Sequence, residues 1–238
     1  MQVQQMITAT TAATATTQQL KSAIATYKDR VDYLEIRVEQ SESTGLSFRG
    51  KQLDSVDRSF SLGGGIRACH QGGWSFVTFN GLQELNARIE EAISQAKLVG
   101  KEETQLATVE PIEDYVPEEI KRDPRTVSLK DKRQLLEAYN EILLNFDPRI
   151  QTTMASIGDR FATKTFINST GSCIVQERLD INGRFAAIAK GEDGIVRQGF
   201  ESVHSRNDFD ALVGIEERVR GAAERAVRQL EAKSVKGG

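Results

Sequence analysis

Apolar and polar residues alternate along several short stretches of this chain. Between positions 34 and 39, leucine, isoleucine and valine alternate with glutamate and arginine, which is typical of a strand with one buried face. Similar stretches follow at 46–49, 53–60, 66–70 and 74–79, with glycine turns among them. This spacing predicts an antiparallel meander. A helix follows, ended by Gly100, with its apolar stripe at Leu82, Leu85, Ile89, Ile93 and Ala96.

The same layout recurs between about Arg149 and Lys233. The stretches expected to form strands are 151–157, 161–167, 173–179, 181–189 and 195–200, and a long helix follows from Asp208. A recurrence of this kind indicates an internal repeat. We therefore predict an α+β fold with two antiparallel β-meander sheets, each flanked by long α-helices and related by an approximate internal repeat.

Composition divides the chain into four segments. Residues 1–17 are rich in Thr and Ala, so we expect a flexible N-terminus. Residues 18–100 form the first helix–meander–helix unit, and its first helix carries an apolar stripe that starts at Leu20. Residues 101–127 hold three of the four prolines and many acidic residues, which is typical of a connector. Residues 128–238 form the second unit, which opens with a helix-start signal at Ser128 and Asp131 and ends in a Lys-Gly-Gly linker.

Charge and cysteine content exclude several functions. The 238 residues carry a formal net charge of −3, with no basic stripe, so direct nucleic-acid binding and attraction to an anionic membrane are not expected. No apolar run approaches the roughly 20 residues of a membrane helix, and the N-terminus lacks a secretory signal pattern. Only Cys69 and Cys173 occur, each within an expected strand. We predict a cytoplasmic protein with two cysteines that pack in the core.

The residue types that commonly carry catalysis do not form a recognisable set. A zinc site needs three or four ligands, and the two histidines, His70 and His204, lie far apart in the sequence. Cys69 and His70 are adjacent in an expected strand, so they should point to opposite faces. We therefore assign no metal ligand and no catalytic residue to this chain. A Cys–His pair brought together by the fold is neither supplied nor excluded by the sequence.

A glycine run and one tryptophan are the candidates for peptide contact. Gly63, Gly64 and Gly65 are followed by a strand pattern, whereas a phosphate-binding loop needs a helix directly after its glycines. We expect the run to let a strand bend or another backbone approach closely, and an extended peptide is one such backbone. Trp74 is expected to anchor the first sheet against its helices, with peptide contact as the alternative. Arg67 completes the set of peptide-contact candidates.

The order of motifs in the first meander resembles the opening domain of the TldD/PmbA family. The motifs are Glu42-Ser43, Arg49-Gly50, the stretch from Gly63 to Arg67, and Gly73-Trp74-Ser75-Phe76. The second copy, with 147–150 followed by 156–171, is similar to the middle of such proteins. The resemblance covers roughly Val31 to Gly238.

This resemblance implies a family also called modulator of DNA gyrase, whose members are zinc metallopeptidases working as TldD–TldE heterodimers. They trim leader peptides and degrade small unfolded polypeptides. The zinc ligands of the family lie in a His-Glu-x-x-x-His motif with a later cysteine, and this sequence has no His-Glu pair. The chain therefore resembles the non-catalytic N-terminal region of a TldD-like protein, in which the sheets form a scaffold and a wall for peptide access.

Two alternatives belong to other functional classes. The chain could be a stand-alone binding or assembly module that docks on a TldD/PmbA subunit and has no protease activity. It could also be a nucleic-acid-linked regulator, as the older family name suggests, but the acidic composition argues against direct binding. From the glycine-rich strand we expect an extended peptide to add to a sheet edge near Gly63–Gly65.

Overall fold

The computed structural model of this protein describes residues 2–103 and 106–232. The described residues form four α-helices: α1 (Gln2–Tyr27), α2 (Leu85–Val99), α3 (Leu129–Leu144) and α4 (Glu216–Leu230). They also form seven strands: β1 (Tyr33–Arg49), β2 (Gln52–His70), β3 (Gly73–Phe79), β4 (Glu113–Val116), β5 (Ile150–Asn168), β6 (Cys173–Lys190) and β7 (Val196–Ser205). Each half runs through a helix, three long or medium strands, a 3₁₀ turn and a second helix. The α+β class and the repeated layout are confirmed.

The strands of both copies join into one sheet, whereas we expected two. The strand order is β3-β2-β1-β5-β6-β4, and β7 also pairs with β6. The pairs β2–β3 and β6–β7 are antiparallel, as a meander predicts, but β4 pairs in parallel with the start of β6. Because β1 and β5 are neighbours, the first strands of the two copies satisfy each other's backbone groups and remove two open edges.

The strands are also longer than the apolar pattern indicated. The polar middle of β1 continues the strand, and Asn182–Gly183 lies inside β6 without breaking it. In β1, the hydroxyl of Ser43 bonds to that of Ser59 at 2.8 Å, and the hydroxyl of Ser47 bonds to that of Ser55 at 2.9 Å. Cross-strand hydroxyl pairs stabilise a polar stretch of sheet, so hydrophobic alternation alone underestimates strand length.

Helix α1 extends further toward the N-terminus than the sequence suggested. The helical stripe that starts at Leu20 is confirmed, but the helix begins at Gln2. Residues 2–17, which we expected to be flexible, are therefore helical, while Met1 and the expected Lys-Gly-Gly linker lie outside the described residues. The physical reason is that this segment contains neither Gly nor Pro, and its alanines and glutamines favour the helix.

The two compact units of the chain do not coincide with the two copies of the repeat. The first compact unit comprises Met1–Glu42, Phe60–Glu118 and Ala162–Arg178, and the second comprises Ser43–Ser59, Glu119–Phe161 and Leu179–Gly238. Strands of up to 19 residues are about 60 Å long. This length is greater than one layer of helices covers. Each long strand therefore contributes to both units, so the linear segments 18–100, 101–127 and 128–238 describe the repeat and not the compact units.

In the first unit, one face of the sheet packs against α1 and α2. The fully buried members of this apolar cluster come from both helices and from β1 and β2, and they include Leu20, Leu34, Ile36, Ile66, Ile89 and Ile93. Side chains alternate across a strand, so the residues between them on β1 and β2 point to the opposite face. That opposite face carries the candidate site.

In the second unit, α3 and α4 cover the sheet and buried polar contacts fix the packing. The capping signal is confirmed, because the Ser128 hydroxyl accepts from the Asp131 amide at 3.1 Å. Lys132 Nζ lies 2.5 Å from Asp159 Oδ2, and both side chains are almost fully buried. The Tyr139 hydroxyl donates to the carbonyl of Leu212 at 2.7 Å. These contacts satisfy groups that would be costly to bury alone.

Candidate functional site

A buried carboxylate is the centre of the open sheet face in the first unit. Glu35 lies on β1 between Leu34 and Ile36, and it is only 4% exposed although it faces away from the helices. The Tyr33 hydroxyl donates to its Oε2 at 2.8 Å, and Arg37 Nε donates to its Oε1 at 3.2 Å. Arg67 Nη1 from β2 lies 3.5 Å from Oε1. One carboxylate thus orients three side chains on two adjacent strands.

Both arginines around Glu35 also rest on aromatic rings. The Arg67 guanidinium lies 4.6 Å from the centroid of the Trp74 ring, and that of Arg37 lies 5.0 Å from the centroid of the Phe166 ring. A cation over an aromatic face is attracted by the ring quadrupole. The rings of Tyr33 and Trp74 are 5.8 Å apart and inclined by 60°. Each guanidinium group is therefore held by a carboxylate and by an aromatic ring.

Trp74 does not anchor the sheet against its helices, so that expectation was wrong. Its neighbour Ser75 points to the helix side and donates to the carbonyl of Ala92 in α2 at 2.7 Å. Alternation along β3 therefore turns Trp74 to the open face, where it meets Arg67 and stays partly exposed. The exposed ring of Phe76 lies two residues further along the same face.

A groove of about 410 Å³ opens on the first unit beside the Glu35 cluster. It is lined by residues of four neighbouring strands: Arg37, Val38, Glu39, Gly63, Gly64, Gly65, Lys164, Thr165, Phe166, Ile174 and Gln176. Lys164 Nζ lies 3.3 Å from Glu39 Oε2, and Arg37 is paired with Glu35. Each cation is thus matched by a carboxylate, so the groove offers donors and acceptors without a large net charge. That balance suits a peptide backbone better than a phosphate.

The three glycines of the groove differ in how much space surrounds them. A Cβ at Gly64 would lie 2.4 Å from the carbonyl oxygen of Arg37 and 2.4 Å from Cζ of Phe79, and a Cβ at Gly65 would lie 2.8 Å from the Phe76 ring. A Cβ at Gly63 would meet no atom closer than 3.5 Å. The close approach of another backbone to the glycine run is therefore confirmed at Gly64, and that backbone belongs to β1.

The expected addition of a peptide strand at these glycines was wrong. Gly64 and Gly65 pair with Phe79 and Thr78 of β3, and β1 flanks the other side of β2. Their strand is therefore interior at this point, and its backbone groups are already used. A peptide in the groove would lie across the face of the sheet and contact side chains.

The histidines and cysteines form no reactive centre within the described residues. His70 Nδ1 lies 3.8 Å from Asp32 Oδ1, and His204 Nε2 lies 3.6 Å from Asp180 Oδ1, each in a different unit. Burial raises the pKa of the Cys69 thiol, which disfavours the nucleophilic thiolate. Burial raises the pKa of the Cys173 thiol in the same way.

A metal ion does not fit the part of the chain that the structure describes. Residues 2–103 and 106–232 bring no three His, Cys, Asp or Glu side chains close enough together to hold one. Zinc needs at least three such protein ligands. No catalytic step through a metal is therefore derived from these residues.

The structure brings the sequence candidates into two adjoining groups. Gly63, Gly64 and Gly65 line the groove, while Arg67 and Trp74 form a stacked pair that reaches the groove through Glu35 and Arg37. Sequence reasoning missed four residues of the site: Glu35, Arg37, Lys164 and Phe166. The alternation of β1 placed Glu35 and Arg37 on the outer face, but only the fold shows which strands supply their partners.

Comparisons with known proteins agree on one family. Residues 34–97 match the PmbA/TldA metallopeptidase domain 1, and residues 122–233 match the PmbA/TldA metallopeptidase central domain. A metalloprotease of Synechocystis sp. is 38% identical over 219 residues, which cover 92% of this chain and 47% of that protein. The chain thus spans about half the length of the curated relatives it matches.

Solved structures share the fold at low sequence identity. A protein described as a modulator of DNA gyrase from Bacteroides thetaiotaomicron has a TM-score of 0.79 at 17% identity, over 92% of this chain and 51% of that one. TldE from Thermococcus kodakarensis has a TM-score of 0.70 at 18% identity, over 90% of this chain and 47% of that one. Of the helices in the described part of this chain, none has the length and apolar content needed to cross a membrane.

Proposed function

Because this chain belongs to the PmbA/TldD family of metallopeptidases, we propose that it forms the non-catalytic scaffold and peptide-access wall of such an enzyme. The family match confirms the resemblance drawn from the order of motifs. The substrates we propose are small unfolded polypeptides and leader peptides. The metal, which we propose to be zinc, would be held by residues outside the described part of this chain.

The groove on the first unit is the observation that carries this proposal. It is lined by residues of four neighbouring strands, including three glycines of β2, and is nearly balanced in charge. Such a surface accepts an extended chain of varied sequence, because Gly63 leaves space beside it and polar side chains can pair with any peptide backbone. The aromatic rings of Phe166 and Phe76 beside it offer apolar contact to the side chains of the peptide.

A matched pair of arginine variants tests the role of the groove. Arg37 on β1 and Arg133 on α3 have exposed side chains, 65% and 52%, and each is paired with one carboxylate. Only Arg37 lines the groove of the first unit. With a labelled unfolded peptide of about ten residues as probe, Arg37→Ala should weaken binding roughly tenfold, since a lost hydrogen bond to a charged group is worth about 1.5 kcal/mol. Arg133→Ala should leave binding unchanged, and equal effects of the two variants would refute the proposal.

We further propose a cytoplasmic protein that pairs with a TldD- or TldE-type subunit. Both cysteines are free and buried, which suits a reducing compartment. The partly exposed Trp74 and the exposed Phe76 favour a second candidate function, in which this face docks on a partner subunit and has no contact with substrate. Light scattering after size exclusion, with and without such a subunit, separates the two. Complex formation that is lost in Phe76→Ser, with peptide binding retained, would favour docking.

A further inference from the structure

The outer edge of β2 is open along the first eight residues of that strand. β2 lies between β3 and β1, and β3 pairs only with the segment Gly64–His70. Among the strands formed by the described residues, none flanks the segment Gln52–Ser59 on the β3 side. Every second residue of this segment therefore directs its backbone amide and carbonyl toward solvent.

The second copy of the repeat has the same edge, and there it is filled. β7 pairs with Ile181–Lys190 of β6, just as β3 pairs with the end of β2. The start of β6 is instead covered by β4, which runs parallel to it from Glu113↔Cys173 to Val116↔Gln176. The repeat thus contains two equivalent positions for an added strand, and this chain fills one of them from its connector.

Backbone pairing and side-chain contacts together hold β4 in its position. Lys21 pairs with Glu113, and the Ile112 amide donates to the Ser172 hydroxyl at 3.2 Å. The Cys173 amide donates to the carbonyl of Ile112 at 2.8 Å, next to the four-residue parallel ladder. The Tyr115 hydroxyl donates to Glu177 Oε1 at 2.7 Å, and the Glu118 amide donates to Oε2 of the same carboxylate at 3.3 Å. The parallel ladder supplies backbone bonds that depend little on sequence, and the side chains of Lys21, Ser172 and Glu177 add contacts around it.

The open edge of β2 has only part of the usual protection against added strands. Natural edges are blocked by proline, charged side chains, bulges or short length; the segment Gln52–Ser59 contains neither proline nor lysine, but it carries Asp54, Asp57 and Arg58. Leu53 and Val56 are 37% and 47% exposed and lie on opposite faces of the strand. Asp54, whose Oδ2 lies 3.6 Å from Arg49 Nη2, is engaged with the neighbouring strand. Apolar side chains on each face can thus be covered by an incoming strand.

We propose that the edge Gln52–Ser59 binds an extended peptide as an additional strand that runs parallel to β2. The incoming backbone takes the place that β4 occupies on β6, and its apolar side chains cover Leu53 and Val56. The inference rests on the proposed function for the kind of ligand, an unfolded peptide. It differs from the groove in its physical basis, because the edge binds backbone by ladder pairing and belongs to the second unit.

Amide hydrogen exchange on the full chain tests whether the edge is occupied. The probe is a synthetic peptide with the sequence of residues 109–118, which includes the strand that fills the equivalent position. At ten times its dissociation constant, exchange of alternate amides in Gln52–Ser59 should slow about tenfold. The control is the same peptide with alternate amides N-methylated, which removes its donors and should give no protection.

Disulfide cross-linking tests the direction of the added strand. Gln52→Cys and Ser59→Cys place single thiols about 23 Å apart on the edge, and the native cysteines are buried. A disulfide needs Cα atoms within about 7 Å. A probe with an N-terminal cysteine should therefore link to position 52, and one with a C-terminal cysteine should link to position 59. Glu224→Cys, on the exposed face of α4, controls for random oxidation.

Each outcome decides the inference. Alternate protection with parallel cross-links supports it, whereas antiparallel cross-links or an unprotected edge overturn it. Protection that rises with protein concentration in the absence of peptide would identify a second copy as the occupant and also overturn it. Protection of the groove residues alone refutes the edge but leaves the proposed function standing. Protection of the edge alone supports the inference and removes the groove from the proposed function.

Discussion

Replacing Gly64 with alanine should destabilise the protein far more than the same change at Gly63. The two glycines are neighbours in β2, and both line the groove. A Cβ at Gly64 would lie 2.4 Å from the Arg37 carbonyl oxygen and equally close to Phe79, whereas at Gly63 the nearest atom is 3.5 Å away. The pair thus isolates one physical cause, the space available for a single methyl group.

The expected change in the free energy of unfolding depends on whether the atoms around each glycine can move. The carbonyl of Arg37 belongs to β1, which is flanked by strands on both sides, so it cannot shift without disturbing the sheet. Overpacking of this kind costs about 1–3 kcal/mol, and a backbone clash belongs at the upper end. Gly63→Ala should instead be neutral or gain about 0.4–1 kcal/mol, because alanine restricts the unfolded chain.

Urea denaturation followed by circular dichroism checks this prediction. For a protein of this size, a loss of 3 kcal/mol corresponds to a fall of roughly 6–12 °C in melting temperature. The slope of the free energy of unfolding against urea should be unchanged for both variants, so that the midpoints report stability. Equal midpoints for Gly64→Ala and Gly63→Ala would refute the close-approach reasoning.

Three further predictions follow from buried and titrating groups. Lys132→Met removes the buried ammonium that lies 2.5 Å from Asp159 Oδ2, so it should cost about 3–5 kcal/mol in urea unfolding, and adding Asp159→Leu should recover most of that loss. The Arg149 guanidinium lowers the pKa of Asp147 to about 2. The contribution of the Asp147–Arg149 pair to the free energy of unfolding should therefore be complete above about pH 4 and disappear between about pH 4 and pH 2. Asp147→Asn should abolish this pH dependence in acid titrations. Partial burial and the hydrogen-bonded carboxylate of Glu177 raise the pKa of Tyr115 to about 12, so the contribution of the Tyr115 hydroxyl to stability should hold below about pH 10 and be lost as the pH rises toward 12. An ultraviolet titration in which Tyr115→Phe removed a tyrosinate step near pH 10 would contradict the docking of β4.

Local patterns allowed the helical stripes and most of the strands to be predicted, but not β4, the full strand lengths or how the strands join. The stripe that starts at Leu20 and the cap at Ser128 depend on contacts within a few residues, and both were confirmed. The joining of β1 to β5 depends on residues more than a hundred positions apart, for which a single sequence offers no signal. The strand stretches predicted at 34–39 and 46–49 left out the polar residues between them, because the partners of these residues, such as Ser59 for Ser43, lie on the next strand.

The candidate site was predictable only in part, for a related reason. The glycine run stood out because three consecutive glycines are rare inside a strand pattern. Glu35 did not stand out, since a carboxylate in an alternating strand is normally solvated. Its burial results from the donors that Arg67 brings from β2 and Tyr33 brings from its own strand, and that arrangement exists only in the folded sheet.

Fluorescence anisotropy of a labelled unfolded peptide, incubated with this chain and zinc, tests the central claim most directly. The account predicts an immediate rise to a steady value, because the peptide is bound by the wall and not cut. A rise in anisotropy that then falls with time would show that this chain hydrolyses peptides itself, if a chelator prevents the fall. That decay, or the absence of any rise, would contradict the account.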